Sequence, residues 1–180
     1  MSIEIEKKYR LTDDLIARMP GVLDDIDADY VGEDFEENTI FAGGILAETN
    51  SIVRIRKTQD RTLLTYKRRV ANQSDVKEQI EFETEVSDAD AAANIVKELG
   101  LVPALVYEKR RKTWRIRNVE VVLDELPFGL FMEIEGPVTG IKEVEILLGI
   151  EHLEIEHETY PRLTAQLGKN IDGRIEARFG

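Results

Sequence analysis

The sequence predicts a mainly β (α+β) fold, in which about eight strands form an antiparallel sheet with helices covering one side. Most of the predicted strands alternate between apolar and charged residues, which is the period of a strand with two unlike faces. Hairpin-length connections join them, and this favours antiparallel pairing. The few predicted helices carry apolar stripes that can pack on the apolar strand faces. In an open sheet the charged faces would meet water, whereas in a closed barrel they would line the interior.

The first strand, residues 3–10, has the clearest alternation, with Glu4, Glu6 and Lys8 on one face and isoleucines on the other. An acidic segment between residues 24 and 37 is expected to be an exposed loop. The other predicted strands span residues 39–41, 52–57, 63–70, 77–86, 106–117, 120–126 and 130–135.

Four helices are indicated by capping and stop signals. Thr12 is a candidate N-cap for a short helix that ends at Pro20-Gly21. A capping box at residues 87–90 opens a helix that stops near Gly100. Two more helices are predicted over residues 141–148 and 159–167, the second with Pro161 in its first turn. Residues 169–180 show no clear period and are expected to form a frayed, flexible tail.

The length and composition of the chain exclude several classes of protein. Its 180 residues fit a single domain. The sequence has no run of about 18 apolar residues and no signal-peptide pattern, so we expect a cytoplasmic protein outside the membrane. The absence of cysteine excludes disulfides and thiolate metal sites, and only two histidines occur. The net charge of −12 argues against nucleic-acid partners, although basic residues concentrated at 54–69 and 109–117 can hold a small anion.

The charged strand faces hold two sets of side chains that together suggest a site for a metal ion and a phosphate. On a strand, side chains at positions i and i+2 project from one face about 7 Å apart, close enough for two carboxylates to share a hydrated cation. Carboxylate oxygens suit Mg²⁺ or Mn²⁺, and Arg and Lys suit a polyphosphate. The acidic set is Glu4, Glu6, Glu81, Glu83, Asp124, Glu133 and Glu135, and the basic set is Lys8, Arg54, Arg56, Lys67, Arg69, Lys109 and Arg111.

Any one of these pairs is explained more simply as a solvated strand face, and only their number and order favour a site. The basic residues of opposite parity, Lys57, Arg68, Arg110 and Lys112, are accordingly assigned to the surface.

The motifs, taken in order, resemble those of the CYTH family, the triphosphate tunnel metalloenzymes. The N-terminal Glu4-x-Glu6-x-Lys8 is similar to the family's hallmark. Residues 52–56 resemble its arginine-pair strand, and residues 64–67 its lysine strand. The resemblance continues through residues 81–83, 108–111, 122–136 and 159–163, and covers residues 2 to about 167.

This resemblance implies an eight-stranded antiparallel closed β-barrel with helices packed outside, built by one domain over residues 1–180, whose tunnel holds a triphosphate. It implies that Lys8, Arg54, Arg56, Lys67 and Arg111 bind phosphate oxygens, with Arg69 as a further candidate. Glu4, Glu6, Asp124, Glu133 and Glu135 would bind Mg²⁺ or Mn²⁺. Glu81 and Glu83 would add ligands or orient a water, and Lys109 would lie near the scissile phosphate and neutralise or protonate the leaving oxygen.

Metal-dependent hydrolysis of an inorganic, nucleoside or other organic triphosphate is the function that the sequence favours. The alternative is a class IV adenylyl cyclase, but those cyclases carry a His-Phe leader before the Glu-x-Glu-x-Lys strand, where this sequence has only residues 1–3. A third hypothesis is a non-catalytic module that binds triphosphate or polyphosphate, which could lose the metal-binding carboxylates that are all present here. A barrel of this size is also compatible with a homodimer.

Overall fold

The computed structural model describes residues 2–70 and 77–180, and within them the chain folds around one ring of antiparallel strands. The strands are β1 (Ser2–Leu11), β2 (Asp29–Ala42), β3 (Ser51–Lys57), β4 (Thr62–Arg69), β5 (Lys77–Glu85), β6 (Val102–Ile116), β7 (Val119–Leu126), β8 (Gly129–Glu135), β9 (Lys169–Ile171) and β10 (Arg174–Ala177). The helices are α1 (Asp13–Asp25), α2 (Ile45–Glu48), α3 (Ala89–Glu98), α4 (Val138–Leu148) and α5 (Tyr160–Leu167).

Eight of the strands close into a ring in the order β2-β3-β4-β5-β1-β8-β7-β6, and the pairing of β2 with β6 completes it. Each of these neighbours is antiparallel. The closing seam is long, since β2 and β6 pair from Asp29 opposite Arg115 to Ala42 opposite Val102. The predicted fold, a closed antiparallel sheet of eight strands with helices outside, is therefore confirmed.

The outer face of the ring is apolar and is covered by helices. Met19 and Leu23 of α1, with Ile141 and Val144 of α4, pack against one side of the ring. Ala92 and Val96 of α3 pack on Phe41 and Ile55 at another side. Burial of this area stabilises the fold at roughly 25 cal/mol per Å² of apolar surface. None of the helices in residues 2–70 and 77–180 is long and apolar enough to cross a membrane.

One end of the ring interior is filled by α5. Tyr160 and Leu163 of this helix are buried among Ile40, Tyr107 and Phe131. These three strand residues have the parity of the charged inner positions, so they belong to the inner face. Thr159 caps the helix, since its hydroxyl accepts from the amide of Arg162, and Pro161 occupies the first turn as expected.

The acidic segment of residues 24–37 is not a loop, and that expectation is wrong for most of its length. Asp29 onward belongs to β2, which is 14 residues long. The acidic run hides the alternation, although several of its charges lie opposite basic residues on the partner strand. Glu33 lies opposite Lys112, and Asp34 lies opposite Arg111. Cross-strand pairs of opposite charge support a strand that has little apolar patterning.

Helix α1 continues past its predicted end, with Pro20 inside it. Thr12 caps it as expected. A proline removes one backbone hydrogen bond within a helix. The helix persists because Met19, before the proline, and Leu23, after it, are both buried against the ring.

The C-terminal residues were expected to be a frayed tail, but residues 169–177 form a hairpin of β9 and β10, and β10 pairs in parallel with β6. Beyond it, the Arg178 guanidinium donates to Glu37 at 2.6 Å and to Glu108 at 2.8 Å. Backbone pairing with β6 and these ion pairs hold much of the segment, and neither leaves an apolar period in the sequence.

Candidate active site

The inner faces of the strands enclose a cavity of about 380 Å³ inside the ring. All of the predicted site residues except Asp124 line it: Glu4, Glu6, Lys8, Arg54, Arg56, Lys67, Arg69, Glu81, Glu83, Lys109, Arg111, Glu133 and Glu135. The strand alternation places them there, because each occupies an inward position of its strand. Arg110, of opposite parity, lies outside and pairs with the half-exposed Glu125 at 3.0 Å.

The cavity cations on β3 and β4 pair with carboxylates on β1 and β5. Lys67 Nζ lies 2.8 Å from Glu4 Oε2 and also contacts Glu81. Arg54 approaches Glu83 Oε2 at 3.4 Å, a long contact for an ion pair. The contacts of Lys67 thus link β4 through side chains both to β1, two strands away in the ring, and to its neighbour β5.

Arg54 has spare hydrogen-bonding capacity inside the ring. Its side chain is only 8% exposed, and its Nε has no hydrogen-bond partner among the described residues. Burial acts to lower the pKa of Arg54, but Tyr107 and the nearby carboxylates raise it overall, so the group is positively charged. A buried donor left without a partner is unfavourable, and a bound anion would satisfy it.

Asp124 lies behind the cavity wall, where it holds Arg111. The guanidinium of Arg111 donates to both oxygens of Asp124, at 2.7 and 2.6 Å, and to Glu133 at 2.6 Å. The Tyr160 hydroxyl donates to Asp124 at 2.8 Å, and the carboxylate is fully buried. Bidentate pairing fixes a guanidinium in one orientation, so Asp124 sets the position of Arg111. A metal role for Asp124 stays a prediction.

Lys109, like Lys8, is an almost fully buried cation of the site. It is 2% exposed, and its Nζ lies 3.2 Å from Glu36 Oε2 and 3.5 Å from Asp124 Oδ2. Burial, together with the charge of Arg111, lowers the pKa of Lys109 to about 8, although the two carboxylates oppose this. A lysine with such a pKa can give up a proton near neutral pH.

The carboxylates on β1, β5 and β8 repel one another. Burial and the charges of Glu4 and Glu6 raise the pKa of Glu135 to about 7. Burial and a hydrogen bond shared with Glu4 raise the pKa of Glu81 to about 7 as well. Raised carboxyl pKa values mark an excess of negative charge, which a hard divalent cation with oxygen ligands would relieve.

The donor set therefore has the right chemistry for Mg²⁺ or Mn²⁺, although its present arrangement is not a preformed ligand shell. Across residues 2–70 and 77–180, no three acidic, histidine or cysteine side chains are grouped closely enough to hold a metal ion. These carboxylates are instead engaged by cations, since Lys67 contacts Glu4 and Glu81, and Arg111 contacts Asp124 and Glu133.

Three polar residues of the interior were missed by the sequence analysis. Glu36 and Asn38 on β2 are 2% and 0% exposed. Glu36 was missed because residues 24–37 were expected to be a loop, and Asn38 because it lies between that segment and the strand predicted from residue 39. Tyr160 was known only as part of a motif, yet Lys8 Nζ lies 3.6 Å from the centre of its ring. The parity of Glu36 and Asn38 with Ile40 would have identified them, had the strand been recognised.

Comparison with known proteins places this geometry in a family. The model of the CYTH domain matches residues 2–162. The PH1012 protein from Pyrococcus horikoshii OT3 is 27% identical, with 89% of this chain and 98% of that chain covered and a TM-score of 0.77. No curated protein matches the chain significantly.

Two further solved structures share the fold at 19% identity. A putative adenylate cyclase from Vibrio parahaemolyticus covers 91% of this chain and 98% of its own, with a TM-score of 0.70. HpAC1 from Hippeastrum, a putative adenylyl cyclase described as having a dominant triphosphatase activity, covers 97% of this chain and 100% of its own, with a TM-score of 0.67.

Proposed function

The chain belongs to the CYTH domain family, and we propose that it is a divalent-metal-dependent triphosphatase acting inside the ring. Its substrate is inorganic triphosphate or the triphosphate group of a nucleotide or another organic molecule. The observation that carries this proposal is the convergence of cations from several strands on one cavity inside the ring, with an unsatisfied Arg54 Nε among them.

The arginine and lysine side chains would bind the three linked phosphates in different ways. Arg54 and Arg56 on β3 offer planar donor pairs, and Lys8 and Lys67 offer point charges. In the structure these side chains contact carboxylates. A phosphate oxygen that enters the cavity would replace these contacts with charge-assisted hydrogen bonds of its own.

Hydrolysis breaks one phosphoanhydride bond. The oxygen of a water molecule forms a bond to the terminal phosphorus, and the bond from that phosphorus to the bridging oxygen breaks. Glu81 and Glu83, both on the cavity wall, orient this water and receive its proton. Lys109 neutralises the bridging oxygen and donates a proton to it, so that the products are orthophosphate and pyrophosphate, or a nucleoside diphosphate. Phosphoryl transfer depends mostly on positioning and charge stabilisation, which such a lining provides.

Mg²⁺ or Mn²⁺ would be held by Glu4, Glu6 and Glu135, with Glu133 and Asp124 as further candidate ligands, and would neutralise phosphate oxygens. These residues supply only hard oxygen donors, and their mutual repulsion favours a cation between them. The negative charges on β1 and β8, which repel one another, would thus attract and bind a metal ion.

A hydrolase fits the cavity better than a cyclase because almost every lining side chain is charged or polar. Tyr107 and Tyr160 are the aromatic residues among the lining positions, and both are buried. Tyr160 already contacts Lys8 and Asp124, so its ring does not present an open face for stacking a base. A short, highly charged substrate matches these walls.

The experiment is ³¹P NMR of the purified protein with inorganic triphosphate and, separately, ATP, each with Mg²⁺ and with Mn²⁺. Orthophosphate that appears with pyrophosphate or ADP supports the proposal. Cyclic AMP with pyrophosphate would identify a cyclase instead. Tight binding of triphosphate without any product would identify a binding module.

A further inference from the structure

Glu36 is a buried carboxylate of the ring that no part of the proposed chemistry uses. It lies on β2 at the seam that closes the ring, directly opposite Lys109 on β6. Its side chain is 3% exposed, and it is not among the residues that line the cavity. A substrate in the cavity would therefore meet the cations that Glu36 contacts, not Glu36 itself.

A single oxygen of Glu36 contacts three side chains. Its Oε2 accepts from Asn38 Nδ2 at 3.1 Å and lies 3.3 Å from Arg56 Nε and 3.2 Å from Lys109 Nζ. Asn38 in turn accepts from Arg56 Nε at 3.2 Å through its Oδ1. The two cations come from strands on opposite sides of β2, so Glu36 ties β3 and β6 together inside the ring.

The cations that Glu36 joins would otherwise repel one another. Burial and the charge of Arg54 lower the pKa of Arg56, and Glu36 opposes that shift. Burial acts to raise the pKa of Glu36, yet Lys109 and Arg56 hold it well below its usual range, so this carboxylate is ionised. A buried carboxylate is stable only when it is paired and hydrogen-bonded, and Glu36 is both.

We propose that Glu36 is a positioning residue for catalysis, which holds Lys109 beside the leaving oxygen and is itself anchored by Arg56 and Asn38. This inference rests on the proposed triphosphatase function. Its basis is geometric: one fixed anion spaces two cations that belong to different strands. Without it, Lys109 and Arg56 keep their charges but lose their common anchor.

This role predicts that a substitution of Glu36 lowers turnover without weakening the binding of triphosphate. Glu36→Gln removes a negative charge from behind the cavity while it keeps the size of the side chain. We expect the affinity for inorganic triphosphate, measured by calorimetry in EDTA, to stay the same or increase, because the cavity becomes more positive. We expect kcat to fall by about 10²-fold, since small misplacements of catalytic groups have effects of this size.

Glu37→Gln is the matched control, because Glu37 is the next residue of β2 and points outside, where it pairs with Arg178. It should keep the wild-type kcat and affinity. Glu36→Asp keeps the charge but retracts it, and should give a kcat between those of the wild type and Glu36→Gln. If Glu36→Gln does not fold, Glu36→Asp carries the test, with a kcat at least tenfold down at unchanged affinity.

The outcomes separate this inference from the function on which it rests. An active wild type, with Glu36→Gln and Glu36→Asp equal to it in kcat, would overturn the positioning role and leave the triphosphatase intact. A loss of affinity and kcat together would also overturn it, since Glu36 would then act on substrate binding or on the fold. A wild type that neither binds nor hydrolyses triphosphate would remove the proposed function itself.

Discussion

Arg54→Met tests most sharply whether the interior cations bind phosphate. The guanidinium is buried, and its contacts to Glu83 and Thr65 are long, at 3.4 and 3.3 Å. Its Nε has no partner in the described part of the chain. A bound phosphate could accept two hydrogen bonds from this group, and each charge-assisted bond contributes about 1.5–3 kcal/mol.

The loss of two such bonds lowers kcat/KM by about 10²–10⁴-fold, at about 1.4 kcal/mol for each factor of ten. The free energy of unfolding should change by no more than about 1–2 kcal/mol, because Glu83 is one-third exposed and remains solvated when its partner is removed. A protein that loses activity but keeps its urea midpoint would show that Arg54 serves the substrate rather than the fold.

Steady-state kinetics with inorganic triphosphate, next to urea unfolding, measure both quantities. Arg68→Met is the matched control, because Arg68 lies on the neighbouring strand β4 and is exposed. It should leave kcat/KM unchanged. A kcat/KM for Arg54→Met within threefold of the wild type would refute the reasoning and return the inner arginines to a structural role.

Three further predictions concern the carboxylates, Lys109 and Lys67. Glu4→Gln should abolish turnover while the circular dichroism spectrum and melting temperature stay close to the wild type, and full activity would remove the metal role. If protonated Lys109 serves the leaving oxygen, kcat/KM should fall as pH rises through about 8, and this basic limb should disappear in Lys109→Arg, whose side chain stays protonated. Because Lys67 contacts both Glu4 and Glu81, Mg²⁺ and triphosphate should each raise the affinity for the other in calorimetry with the wild-type protein at low temperature; independent binding would contradict this coupling.

The lowered pKa of Lys109 also makes the stability of the fold depend on pH. Burial lowers its pKa from 10.5 to about 8, so between these values the unfolded chain binds more protons than the folded one. The contribution of Lys109 to stability therefore rises with pH across that window. Lys109→Met should flatten this part of the pH dependence, which urea midpoints between pH 8 and 10.5 would measure.

The strand alternation was enough to predict which residues face the cavity. Glu4, Glu6 and Lys8 on β1, like Arg54 and Arg56 on β3, occupy inward positions in the structure as their parity required. Sequence periodicity reports the two faces of a strand directly, and a closed ring makes one of those faces an interior. The position of a residue on the inner face was thus predictable, but its ion-pair partner was not.

What the sequence could not predict depends on pairing between distant strands. The N-terminal half of β2 has no apolar face of its own, and only its partner β6 supplies the opposite charges that make it a strand. Glu36, which directly follows this half in the same acidic run, was missed with it. The C-terminal hairpin is similar, because Arg178 finds Glu37 and Glu108 only after the ring has formed.

The most direct test of the central claim is a crystal structure of the protein with inorganic triphosphate and Mn²⁺, using anomalous scattering to locate the metal. The account predicts triphosphate inside the ring, with its oxygens in contact with Arg54 and Arg56, and Mn²⁺ beside Glu4 and Glu6. Triphosphate bound only on the outer surface, or an interior that stays closed by its own ion pairs at saturating ligand, would contradict it.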